Sequence, residues 1–218
     1  MRIEAVFFDV GETLVDESRI FAGWADWLGV PRLTFAAVLG AVLARGSSVP
    51  EVFDYFRPGI DLEYEAQRRV AAGESEGFGE PDLYPDVRAC LAALRAQGLF
   101  VGIAGNQPVR AERDLAALAL PADLVATSQG WGVEKPDPTF FERVAVAAGC
   151  PVDAVLYVGD RLDNDARPAQ EVGMPVAHLR RGPWGHLIGD LAARERCMFL
   201  LDSLVELPDV LAKHNAAV

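Results

Sequence analysis

Four polar features stand where apolar or helical patterns begin or end. Asp9 closes the run Ile3-Glu4-Ala5-Val6-Phe7-Phe8, Gly105-Asn106 follows Val101-Gly102-Ile103-Ala104, Gly159-Asp160 follows Val155–Val158, and Lys135-Pro136 opens a helical pattern. Taken singly, each has an ordinary reading: Asp9 and Asp160 as turn or cap residues, Lys135 as surface charge. Their joint occurrence in this order favours a shared ligand site over four separate readings. A carboxylate such as Asp9 can attack phosphorus and form an aspartyl-phosphate, splitting one hard displacement into two easier ones. Asp9 and Asp160 offer the hard oxygen ligands that Mg²⁺ takes, and the Lys135 ammonium can stabilise charge as it redistributes over phosphoryl oxygens. Lysine is scarce, with only Lys135 and Lys213 beside eighteen arginines, so the position of Lys135 is informative.

In open α/β sheets ligands bind beyond the carboxyl ends of the strands, where these residues would have to lie. The apolar run 3–8 suits a strand buried on both faces. From Glu17 to Leu83 the pattern becomes helical, with segments near Ile20–Leu28, Leu33–Leu43, Pro50–Phe56 and Leu62–Ala72 separated by Gly and Pro. Beyond Tyr84-Pro85 helices are predicted at 86–97, 108–119, 138–148 and 165–172, alternating with strands at 99–104, 123–127, 154–158 and 175–179. Cys197–Leu201 adds a strand, Ser203 is placed as the cap of a last helix, and Arg180–Gly189 reads as an exposed loop. The expected fold is α/β, a doubly wound parallel sheet formed by 1–16 and 84–218, with an inserted α-helical unit at 17–83.

With 218 residues, 51% hydrophobic and 24% charged, the chain can bury one sizeable core. A formal charge of −12 and the lack of a basic stripe argue against nucleic acid. No apolar stretch approaches the roughly 18 to 20 residues of a membrane span, and no basic and apolar leader opens the chain, so a cytoplasmic protein is expected. Cys90, Cys150 and Cys197 are too scattered for a zinc site or disulfide framework. His178, His186 and His214 show no metal-ligand spacing. Most of the aromatics Trp24, Trp27, Phe53, Tyr55 and Phe56 are assigned to packing, and Arg57 beside Pro58-Gly59 is a candidate ligand contact.

The strings Phe7-Phe8-Asp9-Val10-Gly11-Glu12-Thr13-Leu14, Glu134-Lys135-Pro136-Asp137-Pro138 and Val158-Gly159-Asp160-Arg161-Leu162-Asp163-Asn164-Asp165 resemble motifs one, three and four of the haloacid dehalogenase superfamily. With the position of the inserted helices, the similarity spans nearly the whole chain. The resemblance implies a Rossmann-like core with a small helical cap, and Mg²⁺ held by Asp9, Asp160 and the Gly11 carbonyl. It implies Asp165 as a further ligand or an outer support of the metal or lysine. Lys135 and the loops at Val10-Gly11 and Gly105-Asn106 would bind phosphate, and the partner would be a small phosphorylated metabolite, with the protein a monomer or homodimer.

Two positions depart from the family pattern. Phosphatases of this family carry Asp two residues after the nucleophile as acid and base, where this chain has Gly11, and motif two usually ends in Ser or Thr, where it has Gly105 followed by Asn106. Glu12 is the candidate replacement acid/base, and the Asn106 amide or backbone N–H groups the candidate replacement for the hydroxyl. The leading expectation is a Mg²⁺-dependent phosphatase, weak because Gly11 replaces the acid. The alternatives are a non-catalytic relative that binds a phosphorylated ligand or partner, and a dehalogenase-type hydrolase. The phosphonate branch, which uses a cap lysine, is opposed by the lack of any lysine between Glu17 and Leu83.

Overall fold

Six short apolar runs become β1 (Ala5–Phe8), β2 (Phe100–Gly105), β3 (Leu124–Thr127), β4 (Val155–Gly159), β5 (Val176–Leu179) and β6 (Phe199–Leu201) in the computed structural model. It describes residues 1–74, 77–187 and 189–218. The strands form one parallel sheet in the order β3-β2-β1-β4-β5-β6. The chain runs outward from β1 to β3 and then returns to β4 on the opposite side of β1. That reversal opens a crevice beyond the carboxyl ends of β1 and β4.

Successive strand residues face opposite sides, so a continuously apolar strand needs two covering layers. Val6 and Phe8 pack with Leu91 and Leu94 of α5 (Val87–Ala96) and Leu211 of α12 (Leu207–Ala216). Ala5 and Phe7 face the other layer, with Phe140, Phe141 and Val144 of α8 (Pro138–Ala148). Asp137 begins α8 by accepting from the Thr139 N–H at 2.9 Å, Pro138 fits the first turn, and Gly149 at φ 69° ends it. This fixes the start of the helix just after Lys135.

Between β1 and the return at residue 84 lie α1 (Ser18–Leu28), α2 (Arg32–Leu43), α3 (Val49–Phe56) and α4 (Leu62–Ala71). They bury their own apolar cluster around Trp24, Phe35, Leu39, Val52 and Phe53. Trp24, Phe35 and Phe53 meet edge to face, which bears out a packing role for Trp24 and Phe53. The segments leaving and re-entering the core are tied together. Asp16 donates its N–H to the Asp82 carbonyl at 2.7 Å, Tyr84 to the Leu14 carbonyl at 3.1 Å, and Arg19 forks onto both Asp82 oxygens at 2.7 Å. Residues 75 and 76 of the predicted 17–83 unit lie outside the described residues.

Remaining helices are α6 (Arg110–Ala117), α7 (Ser128–Trp131), α9 (Arg167–Glu171), α10 (Gly182–His186) and α11 (Leu191–Glu195). The predicted helix 165–172 begins instead as a wide turn over Leu162–Ala166. Arg180–Gly189, read as an exposed loop, contains α10 and a largely buried Arg181, while Ile188 lies outside the described residues. Ser203 does not cap α12, whose N-cap position is held by Glu206. The Ser203 hydroxyl instead donates to Asp86 at 2.8 Å.

Asp86 and Arg181 form a buried ion pair, and the second Arg181 amino group donates to the Thr13 carbonyl at 2.9 Å. Burial pushes the Asp86 carboxyl up, but Arg181 and Ser203 outweigh it and hold it below its ordinary value. Arg181→Ala would strand that carboxylate, so a loss of about 3–5 kcal/mol is expected, about 10 °C in melting temperature for a chain of this size. Because the folded-state pKa is depressed, the contribution is present at neutral pH and lost as pH falls through the carboxylate range. Thermal melts of parent and variant should therefore converge on acidification; a constant difference would mean that packing, not charge, carries the effect.

Candidate active site

Asp9 leaves the carboxyl end of β1, Asp160 that of β4, and Lys135 reaches in from the loop before α8. The Lys135 Nζ lies 2.8 Å from Asp9 Oδ1 and 2.6 Å from Asp165 Oδ1. Its side chain is fully enclosed, with Tyr157 and Phe140 rings 5.4 and 5.9 Å from the ammonium. Burial pulls the ammonium's pKa down, but Asp165 and Asp9 outweigh burial and hold it well above the ordinary lysine value. Lys135 is a fixed positive charge.

One lysine does not balance the carboxylates. Asp9, Asp160 and Asp165 each bring an oxygen within 4.8 Å of the others, all three buried. Burial, then the charges of Asp165 and Asp9, push the Asp160 carboxyl well above its ordinary value. Its Oδ2 is buried and has no hydrogen-bond partner among the described residues. Asp165 is pushed up to about 6 by burial, with Lys135 pulling against it. These hard donors with net negative charge and an orphaned oxygen fit a divalent cation such as Mg²⁺. Asp165 is the most engaged of the three, its second oxygen accepting from the Arg161 N–H at 3.0 Å.

The loops complete a cradle. Among the described residues no protein group accepts from the N–H of Val10, Gly11 or Asn106, while the Val10 carbonyl accepts from Leu14 and Val15. Asn106 has a different job from the one expected of its amide. Its Nδ2 donates to the Lys135 carbonyl at 2.7 Å and its Oδ1 accepts from the Lys135 N–H at 2.8 Å, so it pins the lysine loop. At Gly105 a β-carbon would fall 2.3 Å from Asp9 Oδ1 and 3.3 Å from the Val10 nitrogen. The glycine is where Asp9 needs room, and a Ser or Thr hydroxyl there would displace the carboxylate.

Two predicted site residues lie apart from this group. Glu12, at φ 52°, turns its carboxylate to the Tyr84 hydroxyl, which donates at 2.6 Å, and to the Glu17 N–H at 3.1 Å. It lines a neighbouring cavity with Phe21, Phe35 and Pro183. Arg57 pairs with Glu65 at 3.3 Å within the inserted helices and lines neither that cavity nor the one at Asp9.

A cavity of about 130 Å³ brings Asp9, Gly11, Lys135 and Asp160 together with Glu17, Arg161 and Trp184. Sequence reasoning did not single out the last three as site residues. Glu17 starts α1, and its carboxyl is pushed up to about 8 by burial and then by Glu12 and Asp9. Arg161 lies against the Trp184 ring at 5.5 Å and forks onto Asp163 at 2.7 and 3.2 Å. Both Arg161 and Trp184 also line a second cavity of about 490 Å³ that includes Leu43, Ser47 and Ser48 from the inserted helices.

The family pattern of haloacid dehalogenase-like hydrolases matches residues 3–173 of the chain. The protein belongs to that family. Among haloacid dehalogenase-like relatives, a glyceraldehyde 3-phosphate phosphatase of Pyrococcus furiosus is 29% identical over 99% of this chain and 96% of its own length. A phosphoglycolate phosphatase of Cereibacter sphaeroides is 29% identical over 81% of this chain and 85% of its own. The haloacid dehalogenase-type fold is shared with the hydrolase YfnB of Bacillus subtilis, solved bound to magnesium, at a TM-score of 0.72 and 18% identity over 97% of this chain and 99% of that one.

Asp160→Asn tests the cation site of this haloacid dehalogenase-like protein without reference to turnover. A buried carboxyl with a raised pKa costs stability as pH rises through that value, so the metal-free variant should melt higher than the metal-free parent at neutral pH. Mg²⁺ should raise the parent's melting temperature by mass action and leave the variant nearly unmoved. A Mg²⁺ shift of equal size in both would place the cation elsewhere.

Proposed function

We propose that this protein is a Mg²⁺-dependent phosphatase acting in the cytoplasm on a small phosphate monoester, the substrate class named in its relatives. The observation that carries the reading is the buried Lys135 ammonium within 2.8 Å of both Asp9 and Asp165, beside the orphaned Asp160 oxygen. Such an arrangement sets a carboxylate nucleophile beside a fixed cation that can offset the charge of an anionic electrophile.

Asp9 attacks phosphorus, the bond to the leaving oxygen breaks, and the phosphoryl group passes to the aspartate. Water then attacks phosphorus and releases phosphate. Lys135 stabilises the equatorial oxygens, and the free N–H groups of Val10, Gly11 and Asn106 bind them. Asp165 and Asn106 position Lys135 from its two ends. Asp9, Asp160 and the Gly11 carbonyl would hold Mg²⁺, whose charge would offset that of the phosphoryl group. The cavity of about 130 Å³ suits a phosphoryl group, and the second cavity, which shares Trp184 and Arg161 with it and reaches Leu43, Ser47 and Ser48, gives the leaving group a place against the inserted helices, which act as a cap.

Phosphate release from p-nitrophenyl phosphate and from a panel of small phosphorylated metabolites, with Mg²⁺ and with chelator, tests the proposal. Mg²⁺-dependent turnover is expected. Phosphate binding without turnover on any substrate would favour the non-catalytic reading instead.

A further inference from the structure

Phosphoryl transfer through Asp9 needs a group that moves protons as well as a nucleophile and a cation. The leaving alkoxide must receive a proton, and the water that attacks the aspartyl-phosphate must give one up. Gly11 offers no side chain, and Glu12 is held by Tyr84 and the Glu17 N–H outside the Asp9 cavity. Asp165 is held on both oxygens by Lys135 and Arg161.

Glu17 is placed differently. A β-carbon added to Gly11 falls 2.9 Å from Glu17 Oε1, 3.0 Å from its Cδ and 3.2 Å from Oε2. The carboxyl of Glu17 thus fills the volume that a side chain at position 11 would take, and it lines the same cavity as Asp9, Lys135 and Asp160. Although Glu17 occupies the N-cap of α1, its side chain makes no capping bond. Among the described residues no salt bridge or hydrogen bond holds its carboxyl. Its backbone is fixed, because the Glu17 N–H donates to Glu12 Oε1 at 3.1 Å. Glu12 is accordingly a positioning residue that aims Glu17, and Gly11 is the gap through which Glu17 reaches the site.

We infer that Glu17, delivered by the first turn of the inserted helices, is the general acid and base of the reaction. This rests on the phosphatase reading above. In the first step Asp9 Oδ bonds to phosphorus, the phosphorus–oxygen bond to the leaving group breaks, and the Glu17 carboxyl gives its proton to that oxygen. In the second step the Glu17 carboxylate takes a proton from water as the water oxygen bonds to phosphorus. The bond to Asp9 then breaks, phosphate leaves, and protonated Glu17 is restored. Because the acid enters from the inserted helices rather than from the strand loop, both steps depend on their seating over the core.

The test compares the full chain with Glu17→Gln, Gly11→Ala and the double variant Glu17→Ala with Gly11→Asp, in which the shortened residue 17 leaves room for the new carboxylate, on ethyl phosphate and p-nitrophenyl phosphate with Mg²⁺. Folding is checked by melting temperature and Mg²⁺ binding by calorimetry. Glu17→Gln should lower ethyl phosphate turnover by roughly 10²–10⁴-fold. Formation of the aspartyl-phosphate from p-nitrophenyl phosphate should change far less, since that leaving group departs without a proton, and the intermediate should accumulate in acid-quenched samples. Gly11→Ala, which crowds only the end of the Glu17 side chain, should show the same pattern more weakly, and the double variant should recover ethyl phosphate turnover. A parent whose activity is lost in Asp9→Asn but unchanged in Glu17→Gln on both substrates would overturn the role of Glu17 and leave the phosphatase reading intact. A parent with no Mg²⁺-dependent turnover would overturn both.

Discussion

Asp9→Asn is expected to abolish phosphate release, by at least about 10⁴-fold, while the protein folds and melts near the parental temperature. An amide is a poor nucleophile, and the neighbouring carboxyls each have another task, that of Glu17 being proton transfer. Asp165 and Glu12 are committed to other partners, and Asp160 belongs to the neighbouring strand. Removing one of three crowded carboxylates also relieves repulsion in the metal-free protein, so stability should not fall even though Lys135 loses a partner at 2.8 Å. Kinetics with p-nitrophenyl phosphate, alongside thermal melts, check both halves. Residual turnover at the parental rate would assign the activity to another site.

Lys135→Ala should damage both activity and stability. The ammonium is the only cation in ion-pair contact with Asp9 and Asp165 among the described residues, and its side chain is fully buried. Without it the carboxylates stand within 4.8 Å of one another with no ion pair to Asp9, Asp160 or Asp165 left among the described residues. Breaking a buried pair from one side costs about 3–5 kcal/mol, or about 10 °C of melting temperature at this chain length. The sign of the pH dependence follows from the raised carboxyls. Asp160 lies well above its ordinary value, Asp165 is already pushed up to about 6, and removal of Lys135 raises Asp165 further. A folded pKa above the unfolded one gives stability that is present at low pH and lost as pH rises, so the variant should approach the parent below about pH 4 and fall behind it through pH 6 and beyond. Melts of both proteins across that range, without metal, measure the effect. A deficit that grows toward acid would mean that the lysine is not the counter-ion described.

Much of this was readable from sequence because it is written in local patterns. A strand covered on both faces must be apolar throughout, so the polar residue that stops it is conspicuous, which is how Asp9 and Asp160 stood out. Asp137-Pro138 and Gly149 mark α8 at both ends, and α8 in turn locates Lys135. The inserted helices announced themselves by period.

What escaped depends on contacts between distant parts of the chain. Glu17 looks like one more acidic residue at the start of a helix, and nothing in its neighbours in sequence says that its carboxyl turns away from that helix and over Gly11. Trp184 sits in a stretch rich in Gly and Arg that reads as loop, yet Trp184 meets Phe21 of α1 and Arg161. Gly105 looked like the loss of a phosphate-binding hydroxyl, whereas in space it is the clearance Asp9 requires. Arg57 is a candidate in sequence because it stands beside Pro58-Gly59, whereas in space it pairs with Glu65 on the next helix.

The central claim is that Asp9 is the phosphoryl acceptor, and acid-quenched mass spectrometry during turnover of p-nitrophenyl phosphate with Mg²⁺ tests it most directly. The expected result is a phosphoryl increment that maps to Asp9, is removed by hydroxylamine, and is absent from Asp9→Asn. Steady phosphate release with no such adduct at any quench time, or an adduct mapping to another residue, would contradict it.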